Sequence, residues 1–210
     1  MFIVDMLEEK YGRGIPIFTR EILDTFPGTG RSQLYEMIRL AVMCNALKQF
    51  DRGVYYIPER GVLFDEDVPI NPELVIKKKY LEDNGEVFGF KSGLNLQNIA
   101  HVSNQMPFTL EIITNKETNN MRHIRPFGGY RDIVLKRPRL LVTKDNVSAL
   151  EAINLIETSC FEALNDFELS SLRKKYDNVD RKLFLDCLSA YPKKTMQKYL
   201  EGVSNGYLLA

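Results

Sequence analysis

A chain of 210 residues with 44% hydrophobic and 27% charged side chains can bury a core as one large domain or two small ones, which excludes overall disorder. No apolar run reaches the roughly 18 residues of a membrane-spanning helix, and acids interrupt residues 1–10 unlike a signal peptide, so a cytoplasmic protein with no membrane partner is expected. Basic and acidic side chains number 28 each, a balance that argues neither for nor against a polyanionic partner.

The first sixty residues read as helices followed by a hairpin. Phe2, Ile3, Met6 and Leu7 recur at helical spacing, and Gly12 and Gly14 end that helix. An extended piece at 15–18 leads to a second helix, with Thr19 as N-cap and Ile22, Leu23 and Phe26 as apolar positions. Pro27, Gly28, Thr29 and Gly30 then make a tight turn. The third helix has the strongest pattern in the chain: Leu34, Met37, Ile38, Ala41, Val42 and Asn45 line one side, and Ser32, Glu36, Arg39 and Met43 the other. Strand-like runs at 47–50 and 54–57 flank Asp51-Arg52-Gly53, a turn in which glycine can take positive φ.

That order of elements is the order of a winged helix-turn-helix. A recognition helix buries one face, which fixes its backbone, and offers donors from the other to base edges and phosphates in a major groove. Thr29, Arg31, Ser32, Gln33, Tyr35 and Arg39 supply those donors. Arginine pairs bidentately with guanine and glutamine with adenine, while hydroxyls suit phosphate. Lys48 and Arg52 place cations on the hairpin, where a wing meets a flanking phosphate or the minor groove. Double-stranded DNA is the expected partner. Glu36, on the same face, opposes phosphate, and a protein-binding winged helix is the alternative.

Residues 61–71 carry acids and prolines and read as a connection between a first domain, 1–60, and a second, 72–210. In the second, a helix-rich stretch at 72–82 precedes Val87-Phe88-Gly89 and a helix at 92–102. Strand candidates at 108–114, 122–127 and 130–136 are joined by Asn-rich and Gly-Gly turns, the last two as a hairpin. Ser148-Ala149-Leu150-Glu151 has capping-box spacing and opens a helix through Leu150, Ile153, Ile156 and Cys160. From Asp166 three more helices are expected, with Asp180 as an N-cap and Pro192 as a break. The predicted class is α+β: an N-terminal winged helix-turn-helix plus a C-terminal mixed α/β domain with a small antiparallel sheet and C-terminal helices. Cys44, Cys160 and Cys187 are widely spaced within apolar helical patterns, as reduced core thiols would be. Residues 116–144 hold eight basic side chains against two acidic ones. Arg122, Arg125, Arg131, Lys136, Arg137 and Arg139 in this island form a candidate second basic surface, or else an ordinary solvated sheet face.

The segment from Phe90-Lys91-Ser92-Gly93-Leu94-Asn95-Leu96 through Ser103-Asn104-Gln105-Met106-Pro107 resembles AbiEi-type antitoxins of type IV toxin-antitoxin systems. In that family a Ser-Gly pair opens a helix and a Gln-x-Pro enters a strand. Looser matches are Arg122 to Arg125, Tyr130-Arg131 and the helix near 149–157, while His101 stands where the family usually has glycine, and Asn95, Gln97 and Asn98 make its Ala-rich helix more polar. The resemblance implies a transcriptional autorepressor of its own operon in phage defence, bound to repeated operator sites upstream. It also implies functional antagonism of an AbiEii-like nucleotidyltransferase toxin without a stable complex.

An enzyme is not expected. His101 and His123 have no Cys or second His at ligand spacing, so no metal or cofactor is called for. The stretch from Phe26 to Ser32 superficially resembles a phosphate cradle but lacks the Gly-Lys-Ser/Thr ending. Glu86, Glu111, Asp132 and Lys136 are the residue types of a metal-dependent nuclease, without a spacing that demands one. The competing function is a two-domain transcription regulator whose second domain senses a ligand or mediates oligomerisation, with no toxin.

Overall fold

Ile3, Val4 and Leu7 share the buried side of the first helix, α1 (Phe2–Tyr11), whereas Phe2 and Met6, expected on that side, are exposed. The computed structural model describes residues 2–61, 66–125 and 130–208, so the predicted Gly-Gly turn at 128–129 lies outside the described residues. The fold is α+β, and contacts divide it into two units, one built mainly from the residues up to Lys78 and the other from Lys79–Arg125 and the residues from Arg131 onward.

In the first unit, α1 is followed by β1 (Ile17–Phe18), α2 (Thr19–Thr25), α3 (Arg31–Met43), β2 (Lys48–Asp51) and β3 (Val54–Tyr56). The strands form an antiparallel sheet in the order β1-β3-β2. Phe18, not Thr19, is the N-cap of α2; its N–H donates to the Glu21 carboxylate at 2.8 Å. Thr19 instead joins α2 to the hairpin tip, its N–H donating to the Gly53 carbonyl at 3.0 Å and its hydroxyl to the same oxygen at 3.3 Å. Leu34, Ile38 and Ala41 of α3 are buried with Ile22, Leu47 and Ile57, as the helical pattern predicts. Asn45 is a correction: at φ 55° it lies past the helix end, in the left-handed conformation that stops it, and not on the apolar side.

The chain from 66 to 78 packs on this same unit. β4 (Glu59–Arg60) pairs with β5 (Asp67–Val68), and Ile70 and Val75, the latter on α4 (Pro72–Ile76), cluster with Val54 and Tyr56 of the sheet. A π-helical turn, Lys77–Leu81, continues α4. Lys78 Nζ donates to the Pro16 carbonyl at 2.8 Å and to both Glu21 carboxylate oxygens at 2.7 and 2.9 Å, and lies 5.5 and 5.4 Å from the Tyr11 and Phe18 ring centroids.

The second unit opens with a hairpin, β6 (Glu82–Asp83) and β7 (Glu86–Val87), turned by Asn84 and Gly85 at φ 48° and 80°. β8 (Gly89–Lys91), β9 (Leu110–Thr114), β10 (Met121–Ile124) and β11 (Ile133–Lys136) form a sheet ordered β10-β11-β9-β8. The predicted hairpin, β10 with β11, is antiparallel, as is β8 with β9, but β9 and β11 run parallel. Phe90, Ile113 and Lys136 are register partners and so form one row on one face.

Five helices accompany the sheet: α5 (Gly93–Ile99), α6 (Val147–Thr158), α7 (Asp166–Asp177), α8 (Arg181–Leu188) and α9 (Lys193–Ser204). α6 is buried almost all round, through seven residues that include Leu150, Ile153, Asn154 and Ile156, because α5, α7, α8 and α9 all contact it. Its N-cap is Asn146; Ser148, expected to cap it, lies inside the helix. Asp180 caps α8 as predicted, accepting from Leu183 N–H at 2.8 Å. Tyr176, Phe184 and Tyr199 fill the far side of the core, with 3.0 Å between the two tyrosine hydroxyls. The cysteine expectation holds only for buried Cys187: Cys44 caps the end of α3, Cys160 follows α6, and both are exposed. Among the described residues no helix is long and apolar enough to cross a membrane.

Candidate nucleic-acid interface

The N-terminal half of α3 presents its polar face to solvent. Gly30 is the N-cap in extended conformation and offers no side chain to the first N–H groups of the helix, which leaves them pointing outward. Arg31, Ser32 and Gln33 are exposed and have no side-chain partner among the described residues; Tyr35 follows at 49% exposure. Thr29 is half-buried in the preceding turn, its N–H donating to the Phe26 carbonyl at 3.1 Å.

Arg39 is on the same face but engaged. Its Nε donates to Glu36 at 2.9 Å, a second nitrogen grips the other carboxylate oxygen, and Nη1 contacts the Met43 sulfur at 3.2 Å. Hydrogen bonding to Glu36 raises the arginine pKa and, from the partner's side, lowers that of the carboxyl. The fork that would read a guanine is thus satisfied within the helix.

On the hairpin, a two-residue turn holds exposed Arg52 and half-buried Gly53, the latter at φ 75°. Lys48 is less available, since its ammonium donates to Asn45 at 3.0 Å and pairs with Asp67 at 3.0 Å. Tyr55 on β3 was not anticipated. Burial raises its phenol pKa, with Tyr35 on α3 adding to the shift and the Thr19 hydroxyl opposing it. The half-buried position of Tyr55, between buried Val54 and Tyr56, is the alternation that a sequence reading of β3 can use.

The basic island divides. Arg122 pairs with buried Glu117 at 2.7 Å, Arg125 with Asp132 at 2.6 Å, and Lys136 with Glu111 at 2.5 Å. Arg131 donates to the Pro107 carbonyl at 2.9 Å and so holds the turn that enters β9. Arg137 and Arg139 line a cleft instead. Of the nuclease-type residues, Glu111 and Lys136 meet as an ion pair and Asp132 turns to Arg125, while no group of three or more His, Cys, Asp or Glu able to hold a metal occurs among the described residues. His101, exposed and at φ 57°, follows the C-cap of α5 in the conformation glycine favours.

No protein-family model matches this chain, and no curated protein sequence matches it.

Proposed function

We propose that the first unit is a winged helix-turn-helix that binds double-stranded DNA, with α3 as recognition helix and the β2–β3 hairpin as wing. The observation that carries this reading is the donor set Arg31, Ser32 and Gln33, exposed and without partners at the N-terminal end of a helix whose other face is locked in a core. Donors held in this way reach base edges with little further ordering cost, and helix N-termini favour phosphate. Arg52 at the hairpin tip supplies the flanking cation.

On this reading the protein is a cytoplasmic autorepressor of its own operon and the antitoxin of a type IV, phage-defence toxin-antitoxin pair, antagonising an AbiEii-like toxin without a lasting complex. The antitoxin role rests on the sequence resemblance. Ser92 is the N-cap of α5, and residues 105–107 precede β9. The test is a gel-shift titration against DNA upstream of the gene, with unrelated DNA as competitor at fixed salt. Saturable binding that survives competition is the expected result, and binding no tighter than to the competitor refutes it. A second reading, a regulator whose second unit binds a ligand, is favoured by the cationic cleft of that unit.

A further inference from the structure

Between the sheet row Phe90–Ile113–Lys136 and one side of α6 lies a cleft of about 790 Å³, within the roughly 300–1,000 Å³ of small-molecule sites. Its rim is the chain leaving β11, which brings Arg137 and Arg139 to the opening, and Tyr191 from the turn between α8 and α9 faces them, with the Arg139 guanidinium 5.5 Å from its ring centroid. Arg137 has no partner among the described residues. Of the carboxylates nearby, Glu111 pairs with Lys136, and Glu157, which also lines the cleft, accepts from the Thr195 hydroxyl at 3.0 Å and is outnumbered there by Lys136, Arg137 and Arg139. Burial, reinforced by Glu157, pushes the Tyr191 pKa up to about 12, so its hydroxyl is a neutral donor at physiological pH.

Asn154 adds an oriented amide to the cleft. It is only 7% exposed, yet it lines the cleft. Its Oδ1 accepts the Gly93 N–H at 3.0 Å, which fixes the amide so that Nδ2 has no protein partner among the described residues. That N–H₂ is held by the Gly93 bond as an oriented donor open to the cleft. An apolar floor of Phe90, Ile113 and Leu150, cations at the mouth and an oriented donor within describe a site for a molecule with an apolar, flat body and an anionic end.

We propose that this cleft binds a nucleoside phosphate, its base against Phe90, Leu150 and Tyr191 and its phosphate between Arg137, Arg139 and the Asn154 amide. The proposal concerns the second unit alone and does not rest on DNA reading by α3. It is tested by isothermal titration of the full chain with each of the four ribonucleoside mono- and triphosphates, the matching unphosphorylated nucleosides, and a short single-stranded oligonucleotide. At least one mononucleotide is expected to bind saturably, and its nucleoside about tenfold or more weaker. Arg137→Ala combined with Arg139→Ala should weaken binding by a similar factor. Asn154→Asp keeps the acceptor for Gly93 but replaces the donor with a charge that repels phosphate, and should do the same. Lys182→Ala, an exposed cation away from the cleft, should leave affinity unchanged. The proposal is overturned if no mononucleotide binds, if only the oligonucleotide binds, or if the folded double arginine variant binds as tightly as the parent. Because the titrant is a mononucleotide, a failed gel shift and a failed titration are separate results.

Discussion

Lys78→Met should loosen the first unit locally. The ammonium makes three hydrogen bonds, two of them to the Glu21 carboxylate, and the pair is 13% and 17% exposed. Removing one partner of a well-buried ion pair costs about 3–5 kcal/mol. Here Glu21 keeps the Phe18 N–H and residual solvent access, while methionine loses the ammonium's approach to the Tyr11 and Phe18 rings but fills similar space, so about 2 kcal/mol is expected. Since about 1.4 kcal/mol is a factor of ten, amides of β1 and α2 should exchange roughly thirtyfold faster, read by hydrogen-exchange mass spectrometry of the full chain. A cycle with Glu21→Gln isolates the coupling, expected at about 1.5–3 kcal/mol. Unchanged exchange in Lys78→Met, or additive effects in the double variant, would refute the view that Lys78 fastens the end of α4 to the first unit.

Outcomes at four other sites are expected. Arg31→Ala should weaken operator binding by about 1–3 kcal/mol and relax preference at one base pair if it reads a base, or lower the salt slope by about 1 if it meets phosphate, whereas Glu36→Gln should tighten binding by freeing Arg39 and removing a repulsive charge; competition gel shifts over a salt series distinguish these results. Glu117 accepts from the Asn119 N–H, Arg122 and the Thr118 N–H, and these bonds, that of Asn119 first, hold its pKa below the usual 4.5. A lowered carboxyl pKa contributes stability that is present above 4.5 and lost as pH falls through the folded value, so urea midpoints of the second unit should drop in that acid range, and Glu117→Gln should cost about 2 kcal/mol at neutral pH while flattening the acid loss. His101→Gly should raise thermal stability by about 0.5 kcal/mol, because a left-handed conformation costs about 1–2 kcal/mol for a side chain and glycine returns part of that gain as chain entropy; a lower midpoint would mean that the imidazole contributes a contact of its own.

What sequence reasoning reached was set by local periodicity and stop signals. The sides of α3, the Asp180 cap, the Pro192 break and the β10–β11 hairpin each depend on residues close in the chain. The Asn84-Gly85 hairpin was equally legible, because both residues suit the positive φ they adopt, but the strands it joins have two residues each and show no alternation. Beyond reach were features set by distant partners. The parallel pairing of β9 with β11 depends on β10 crossing to the sheet edge, and the engagement of Lys48 by Asp67 depends on a strand within a stretch that reads as a connection. For the same reason a tally of basic residues at 116–144 describes a positive surface, whereas Arg122, Arg125 and Lys136 are paired with Glu117, Asp132 and Glu111.

Gly93 sits at φ 59° where an added Cβ would come within 2.7 Å of the Glu111 carboxylate, and its N–H orients Asn154. A side chain there would be strained whatever the protein acts upon. The Ser-Gly pair is therefore a signature of how strand, helix and carboxylate nest together, and it would be inherited by any descendant that kept this scaffold, including one that had changed its target. Met106 and Phe108, 88% and 83% exposed on the segment entering β9, stand outside that nest.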